Sequence, residues 1–373
     1  IMLIGFCMSE LVSAYPTSGG IYWWAAKLGG PKAGYYTGWL NLIGLVAILA
    51  SVAYGSATFL DLTLGTLSER WLAGYSLQRV FLMFLIILVV VAVINIFSSH
   101  LLASAHLSEE TKSAANAAAK GIWRSIFYSA IGGWILLLAF LFAVQDADAV
   151  SAAGGAVATI FNQALSSQWA ALVLFISTAG QLFCTTACQT SASRMLFAFS
   201  RDRAVPGHRL WSKVNANRVP ANAVIITAVV AALLALPAIV EVDINGAPVP
   251  IAFFAVVSIG VVGLYLCFAV PIFYRWRAGD AFKVGSWNLR GHYRWMAPLA
   301  LVEIIVTSIV AMFPTSLGGV PWDQSFEWRF VNYTPIVLFG VLFLLWLYWH
   351  LSVKKWFTGP VRQIDRSGQE LGV

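Results

Sequence analysis

Long apolar runs separated by short polar gaps fill most of this chain. A spanning helix needs roughly 20 apolar residues. Runs of that kind occur near 36–60, 80–102, 122–144, 169–199, 220–240, 251–274, 296–313 and 334–352, and each predicts a helix. Residues 1–15 read as the tail of an earlier span. The runs at 80–102 and 169–199 exceed what a bilayer requires, so their ends are expected to project or tilt. The pattern predicts an all-α multi-pass membrane protein, with one transmembrane domain over 1–352 and a tail over 353–373.

Small and polar residues inside the runs define faces. At about 100° per residue, with Ser177 set to zero, Gln181 falls near +40°, Cys184 near −20°, Cys188 near +20° and Ser191 near −40°, with Thr185 at the edge near +80°. Polar groups facing lipid lack partners, so this seam is expected to face the bundle interior. On the 36–60 run, Asn41, Gly44, Ala47, Ser51, Tyr54, Gly55 and Thr58 share one side. Close helix packing explains Gly44, Ala47 and Gly55 as well as a pathway lining does. For the larger polar groups of Gln181 and Tyr54, lining is favoured. Cys184 and Cys188 lie one turn apart with no histidine nearby, which suits small packing residues better than a metal site. Glu303 lies inside the 296–313 run. It reads either as an intramembrane coupling carboxylate or as a side chain snorkelling toward Arg294. Glu10 is expected at the interface, because Pro16 soon ends its span.

Composition agrees with a lipid solvent: 60% of residues are hydrophobic and 10% charged, against about 25% charged in soluble domains. The net charge of +7 does not indicate a nucleic-acid partner, because the cations sit at span ends and form no dense basic domain. Counted by alternate gaps, 20 of the 23 Lys and Arg residues fall on one side, leaving Arg70, Arg79 and Arg329 on the other. The positive-inside rule then assigns the 16–34 gap, the 200–218 loop and the C-terminus to the cytoplasm. Trp71, Trp169, Trp322, Trp328 and Trp349 are expected in the aromatic belts. The four cysteines fall in apolar runs, where a disulfide framework is not expected.

Among the gaps, Tyr15–Trp24 combines Pro16, Gly19 and Gly20 with an aromatic cluster. It reads as a re-entry turn with an interfacial helix, or as a hinge beside an inner gate. Residues 156–165 predict a short amphipathic helix suited to an external lid. Glu109 and Glu110 suit a helix start, and the basic 200–218 loop suits contact with anionic lipid. No phosphate loop, HExxH, paired CxxC or GxSxG motif is present, so an enzyme is not expected. No cofactor is called for.

Four stretches carry a family resemblance. Met8-Ser9-Glu10-Leu11-Val12-Ser13-Ala14-Tyr15-Pro16-Thr17-Ser18-Gly19-Gly20-Ile21-Tyr22 resembles the close of the second span in amino-acid permeases of the amino acid–polyamine–organocation (APC) superfamily, most of all the GABA/choline-type group. Ser104–Lys112 resembles the sequence after that group's sixth span. Ser193–Asp202 with Pro206-Gly207 resembles the inner end of its eighth span, and Phe357-Thr358-Gly359-Pro360 its C-terminal tail. The resemblance implies a LeuT-like inverted-repeat helical bundle, with substrate held near midplane by broken first and sixth helices. The third, eighth and tenth helices surround them. On that map 36–60 is the third span and 169–199 the eighth.

The resemblance also implies an incomplete member. The first span and the start of the second are absent. Ile94–Phe97 resembles the end of the fourth span, yet Ser104–Lys112 follows within a few residues, so the fifth and most of the sixth are missing. A truncated or mis-joined gene model is the favoured explanation and a genuinely shortened protein the other. The expected function is a secondary permease for amino acids or amines such as GABA, choline or polyamines, working by alternating access, with this chain alone not transport-competent. A degenerate paralogue or membrane partner subunit is the alternative. Expected pathway residues are Asn41, Ser51, Tyr54, Ser177, Gln181, Cys184 and Thr185, with Pro16, Gly19 and Gly20 at a gate. Glu303 is the candidate for coupling to H+ or Na+. The expected partners are a small-molecule substrate and the lipid bilayer of the cytoplasmic membrane.

Overall fold

A computed structural model describes residues 1–16, 20–73, 75–97, 114–152, 156–216, 219–239, 242–244, 247–249, 251–314 and 317–360. Its principal elements are helices, as expected where lipid offers no hydrogen-bond partners to an open backbone. In chain order they are α1 (Met2–Ala14), α2 (Gly20–Leu67), α3 (Glu69–Ala73), α4 (Leu77–Phe97), α5 (Ala114–Ala143), α6 (Ala147–Ala152), α7 (Ala156–Ala164), α8 (Ser167–Arg201), α9 (His208–Trp211), α10 (Ala221–Ala235), α11 (Ile251–Ala278), α12 (Tyr293–Met312) and α13 (Thr334–Leu351). Among the described residues, eight helices are long and apolar enough to cross a membrane. Each overlaps one of the eight apolar runs read from the sequence. The chain is an all-α multi-pass membrane protein. A small antiparallel hairpin, β1 (Val242–Ile244) with β2 (Ala247–Val249), joins α10 to α11; the apolar pattern did not signal it.

The longest helix, α2, is two helices in line. Gly30 adopts φ 82° and ψ 179°, a backbone open to a residue without Cβ. Pro31 follows as the first residue of the second half, where its missing N–H is no loss. The second half runs through the centre of the molecule. It packs on α11 with almost no side chain between the backbones: a Cβ added to Gly263 would lie 3.1 Å from the Gly44 Cα. Small residues permit that approach, and dispersion rather than hydrophobic burial then holds the pair in lipid.

Two apolar clusters flank this axis. The larger joins α2, α4, α8, α10 and α13 through Leu49, Tyr54, Phe84, Phe199 and Leu345. The other joins α1, the first half of α2, α11 and α12 through Leu11, Trp23, Ile272 and Ile304. Trp349, expected in an aromatic belt, is instead buried against Tyr35 at a ring distance of 5.0 Å. Trp169, Trp322 and Trp328 are exposed.

Candidate functional site

The face of α8 that turns inward follows from its period. Thr178, Thr185, Gln189, Leu196 and Ser200 are all buried and are spaced by seven, four, seven and four residues, as one helix face requires. The sequence-derived seam lies one residue away, a rotation of about 100°. Thr185 is therefore fully buried, Ser177, Gln181 and Cys188 are half-buried, and Cys184 is exposed. The Ser177 and Thr185 hydroxyls donate to carbonyls of their own helix, Val173 at 2.9 Å and Gln181 at 2.7 Å. The side chain of Gln181 reaches α2: a Cβ at Gly55 would come within 2.6 Å of its Oε1.

On α2 the expected stripe divides. Asn41 is buried beside α11, with the Cys267 thiol 3.9 Å from its Oδ1. Ser51 donates to the Ile48 carbonyl at 3.0 Å. The Tyr54 ring stacks on Phe253 at 5.0 Å and meets Phe84 at 5.8 Å. Its hydroxyl is buried without a hydrogen-bond partner among the described residues. A buried, unpaired hydroxyl costs about 1–3 kcal/mol. The structure thus brings Gln181 to the Gly55 level of α2, beside Tyr54 in the chain, while Asn41 and Gly44 belong to the packing seam with α11.

Pro16 is exposed, and Gly20 opens α2 at φ 50°; Gly19 lies outside the described residues. The aromatic cluster that follows packs inside the protein. Tyr22, Trp23 and Trp24 are buried, Tyr22 against Phe199 at 5.0 Å. The Trp24 indole N–H donates to the Tyr15 carbonyl at 2.8 Å across the turn. The short helix expected over 156–165 is present as α7; Phe161 meets Phe140 of α5 at 5.2 Å. Glu303 is half-buried and meets the Ile1 amino group. It does not pair with Arg294, which binds Asp280 at 3.0 Å.

Two charged clasps and one polar network were missed by the sequence reading. Glu10, expected at the interface, is fully buried. The Arg275 guanidinium grips it with Nε–Oε2 at 2.9 Å and Nη2–Oε1 at 3.2 Å, and the Leu289 N–H adds a third donor at 3.2 Å. Arg275, counted as a loop cation, lies between the Phe282 and Tyr293 rings at 4.1 and 4.0 Å. At the other end of α2, Asp61 accepts from Arg79 at 2.7 and 3.0 Å and from the Trp71 indole at 2.9 Å. Between them, Gln189 donates to the Val224 carbonyl and Thr227 hydroxyl of α10, at 2.7 and 3.0 Å, while Asn95 of α4 accepts from Thr190 at 2.5 Å. These bonds tie α4, α8 and α10 into one block. Among the described residues no cluster of potential metal ligands occurs, and the four cysteines are free.

Known proteins resemble this chain along most of its length. The family profile described as amino acid permease matches residues 1–106 and 101–342, in two segments. An amino-acid permease of Arabidopsis thaliana, BAT1, is 30% identical over 97% of this chain and 84% of its own length. Its rice homolog is 29% identical over 98% and 84%. A GABA-specific permease of Saccharomyces cerevisiae is 26% identical over 70% of this chain and 44% of its own length. The alignment with the rice relative extends over 454 positions, although this chain has 373 residues.

Proposed function

The chain belongs to the amino acid permease family, and from that membership we propose that it derives from a secondary transporter of amino acids or related amines that works by alternating access. Members of this family are carriers, not enzymes. GABA, choline and polyamines are the candidate cargoes, and H+ or Na+ the coupling ion. This rests above all on the family match running from residue 1 to 342. In this reading the block of α4, α8 and α10 is the scaffold. Tyr54 and Gln181, with Ser51, Ser177, Cys184 and Thr185 beside them, border the pathway. Asn41 sits where that border meets α11. Pro16, Gly19 and Gly20 form the inner hinge, and Glu303 is the coupling carboxylate. The C-terminus is cytoplasmic and the membrane is the plasma membrane.

The same proposal holds that internal helices are missing near residue 101. Three observations support it. The family match breaks there, and the relatives carry aligned residues with no counterpart here. The 18-residue apolar window of α5 has 0% of its residues buried; absent helices packed on α5 would cover it. The alternative, a non-transporting paralogue or partner subunit, draws on the same gap.

Uptake of radiolabelled GABA, arginine and choline by pure, monodisperse chain in proteoliposomes tests both readings. No uptake is expected from this chain, and substrate affinity in a complete relative should fall when the residues aligned with Gln181 or Tyr54 are changed. Unchanged affinity in both variants would remove the site assignment.

A further inference from the structure

A cavity of about 590 Å³ opens on the side of the molecule where α2, α11 and α12 meet. Its walls include Ala33, Ala269, Phe273 and Leu301, and Lys32 and Tyr36 also line it. Lys32 is exposed and forms no ion pair or hydrogen bond among the described residues. Tyr36 lies one turn further along the same face, and its hydroxyl is buried without a hydrogen-bond partner among the described residues. A cation at the mouth, an unpaired donor roughly 6 Å deeper and apolar walls beyond form a graded sequence. Leu301 and Ile305 are eight and twelve residues into α12, about 12 and 18 Å from its start at 1.5 Å per residue. The groove therefore reaches about the depth of one leaflet of a hydrocarbon core about 30 Å thick.

We propose that this groove binds one anionic phospholipid of the inner leaflet. Its phosphate pairs with Lys32, an ester carbonyl accepts from the Tyr36 hydroxyl, and one acyl chain lies against Ala33, Ala269, Phe273 and Leu301. An ordinary boundary lipid needs neither the cation nor the orphan hydroxyl. The leaflet named here rests on the proposed orientation of the chain; the headgroup preference does not.

The test uses the full chain in nanodiscs, which have no inside or outside, so a wrong orientation cannot disturb it. Phosphatidylglycerol with a photoreactive acyl chain is the probe. Labelling is expected on peptides containing Ala269–Phe273 and Leu301. Unlabelled phosphatidylglycerol should compete better than phosphatidylcholine by roughly fivefold, the ratio equivalent to about 1 kcal/mol per cation near an anionic surface. Lys32→Gln should abolish that preference. Ala269→Phe should remove labelling while the protein stays monodisperse in gel filtration, and inorganic phosphate should not compete. Equal competition by the two lipids, an unchanged preference in Lys32→Gln, or displacement by inorganic phosphate would each overturn the proposal.

Discussion

Removing one charge from the Glu10–Arg275 pair leaves the other in a nearly dry site. Arg275 is 3% exposed and Glu10 0%, so solvent cannot replace the lost partner. Breaking a buried pair costs about 3–5 kcal/mol, far more than a surface pair. Glu10→Gln keeps an acceptor for the Leu289 N–H and removes only the charge. It should lower the thermal denaturation midpoint in detergent clearly, whereas Arg294→Gln, which breaks an exposed pair, should barely move it. Similar midpoints would show that Arg275 finds water. Tyr54 predicts the opposite sign. Because its hydroxyl has no partner among the described residues, Tyr54→Phe should leave the midpoint unchanged or raise it, by up to about 1–3 kcal/mol of stability. A loss of stability on calorimetry would mean that the hydroxyl is already satisfied.

Helix pairing makes its own demand at the α2–α11 seam. A Cβ at Gly263 would meet the Leu40 carbonyl at 3.2 Å as well as the Gly44 Cα, and backbone cannot move aside as a side chain can. Gly263→Leu should therefore separate the helices and abolish a monodisperse gel-filtration peak, while Gly340→Leu, where nothing lies within 4 Å, should not. The helices themselves were legible from apolar runs, because length and hydrophobicity alone decide whether a segment spans. The inward face of α8 was less legible. Threonine can satisfy its hydroxyl on its own helix, as Thr178 does with the Leu174 carbonyl at 2.9 Å, so polarity alone does not say which side faces protein. The seven-and-four spacing of Thr178, Thr185, Gln189, Leu196 and Ser200 carried that signal. Glu10 and Arg275 were illegible for another reason: they are 265 residues apart, and placing Glu10 by the nearby Pro16 and Arg275 by charge counting puts each at a membrane edge without pairing them.

At the scale of the whole molecule, the exposed side of α8 around Phe183, Cys184 and Ala187 separates an incomplete bundle from a finished one if absent helices belong against it. Cys184 is exposed on that face, whereas Cys7 and Cys267 are buried. If helices absent from the interior of the chain normally cover it, supplying them should change the chemistry of Cys184 before any substrate is added. The segment of the Arabidopsis relative without a counterpart in this chain, placed at the proposed break near residue 101, would supply them. In the chain as it stands, N-ethylmaleimide in micelles should modify Cys184 first, as intact-protein mass spectrometry with peptide mapping would report. After insertion of the segment Cys184 should be protected. Continued modification of Cys184 at the original rate in a folded, monodisperse insertion variant would assign that face to lipid and favour a shortened, non-transporting membrane protein. The threading is tested separately. Arg70→Cys and Lys213→Cys should be labelled by an impermeant maleimide from opposite sides of sealed vesicles, because nearly all cations are expected on one side. Labelling from the same side would remove the orientation while leaving the Cys184 result to be judged by itself.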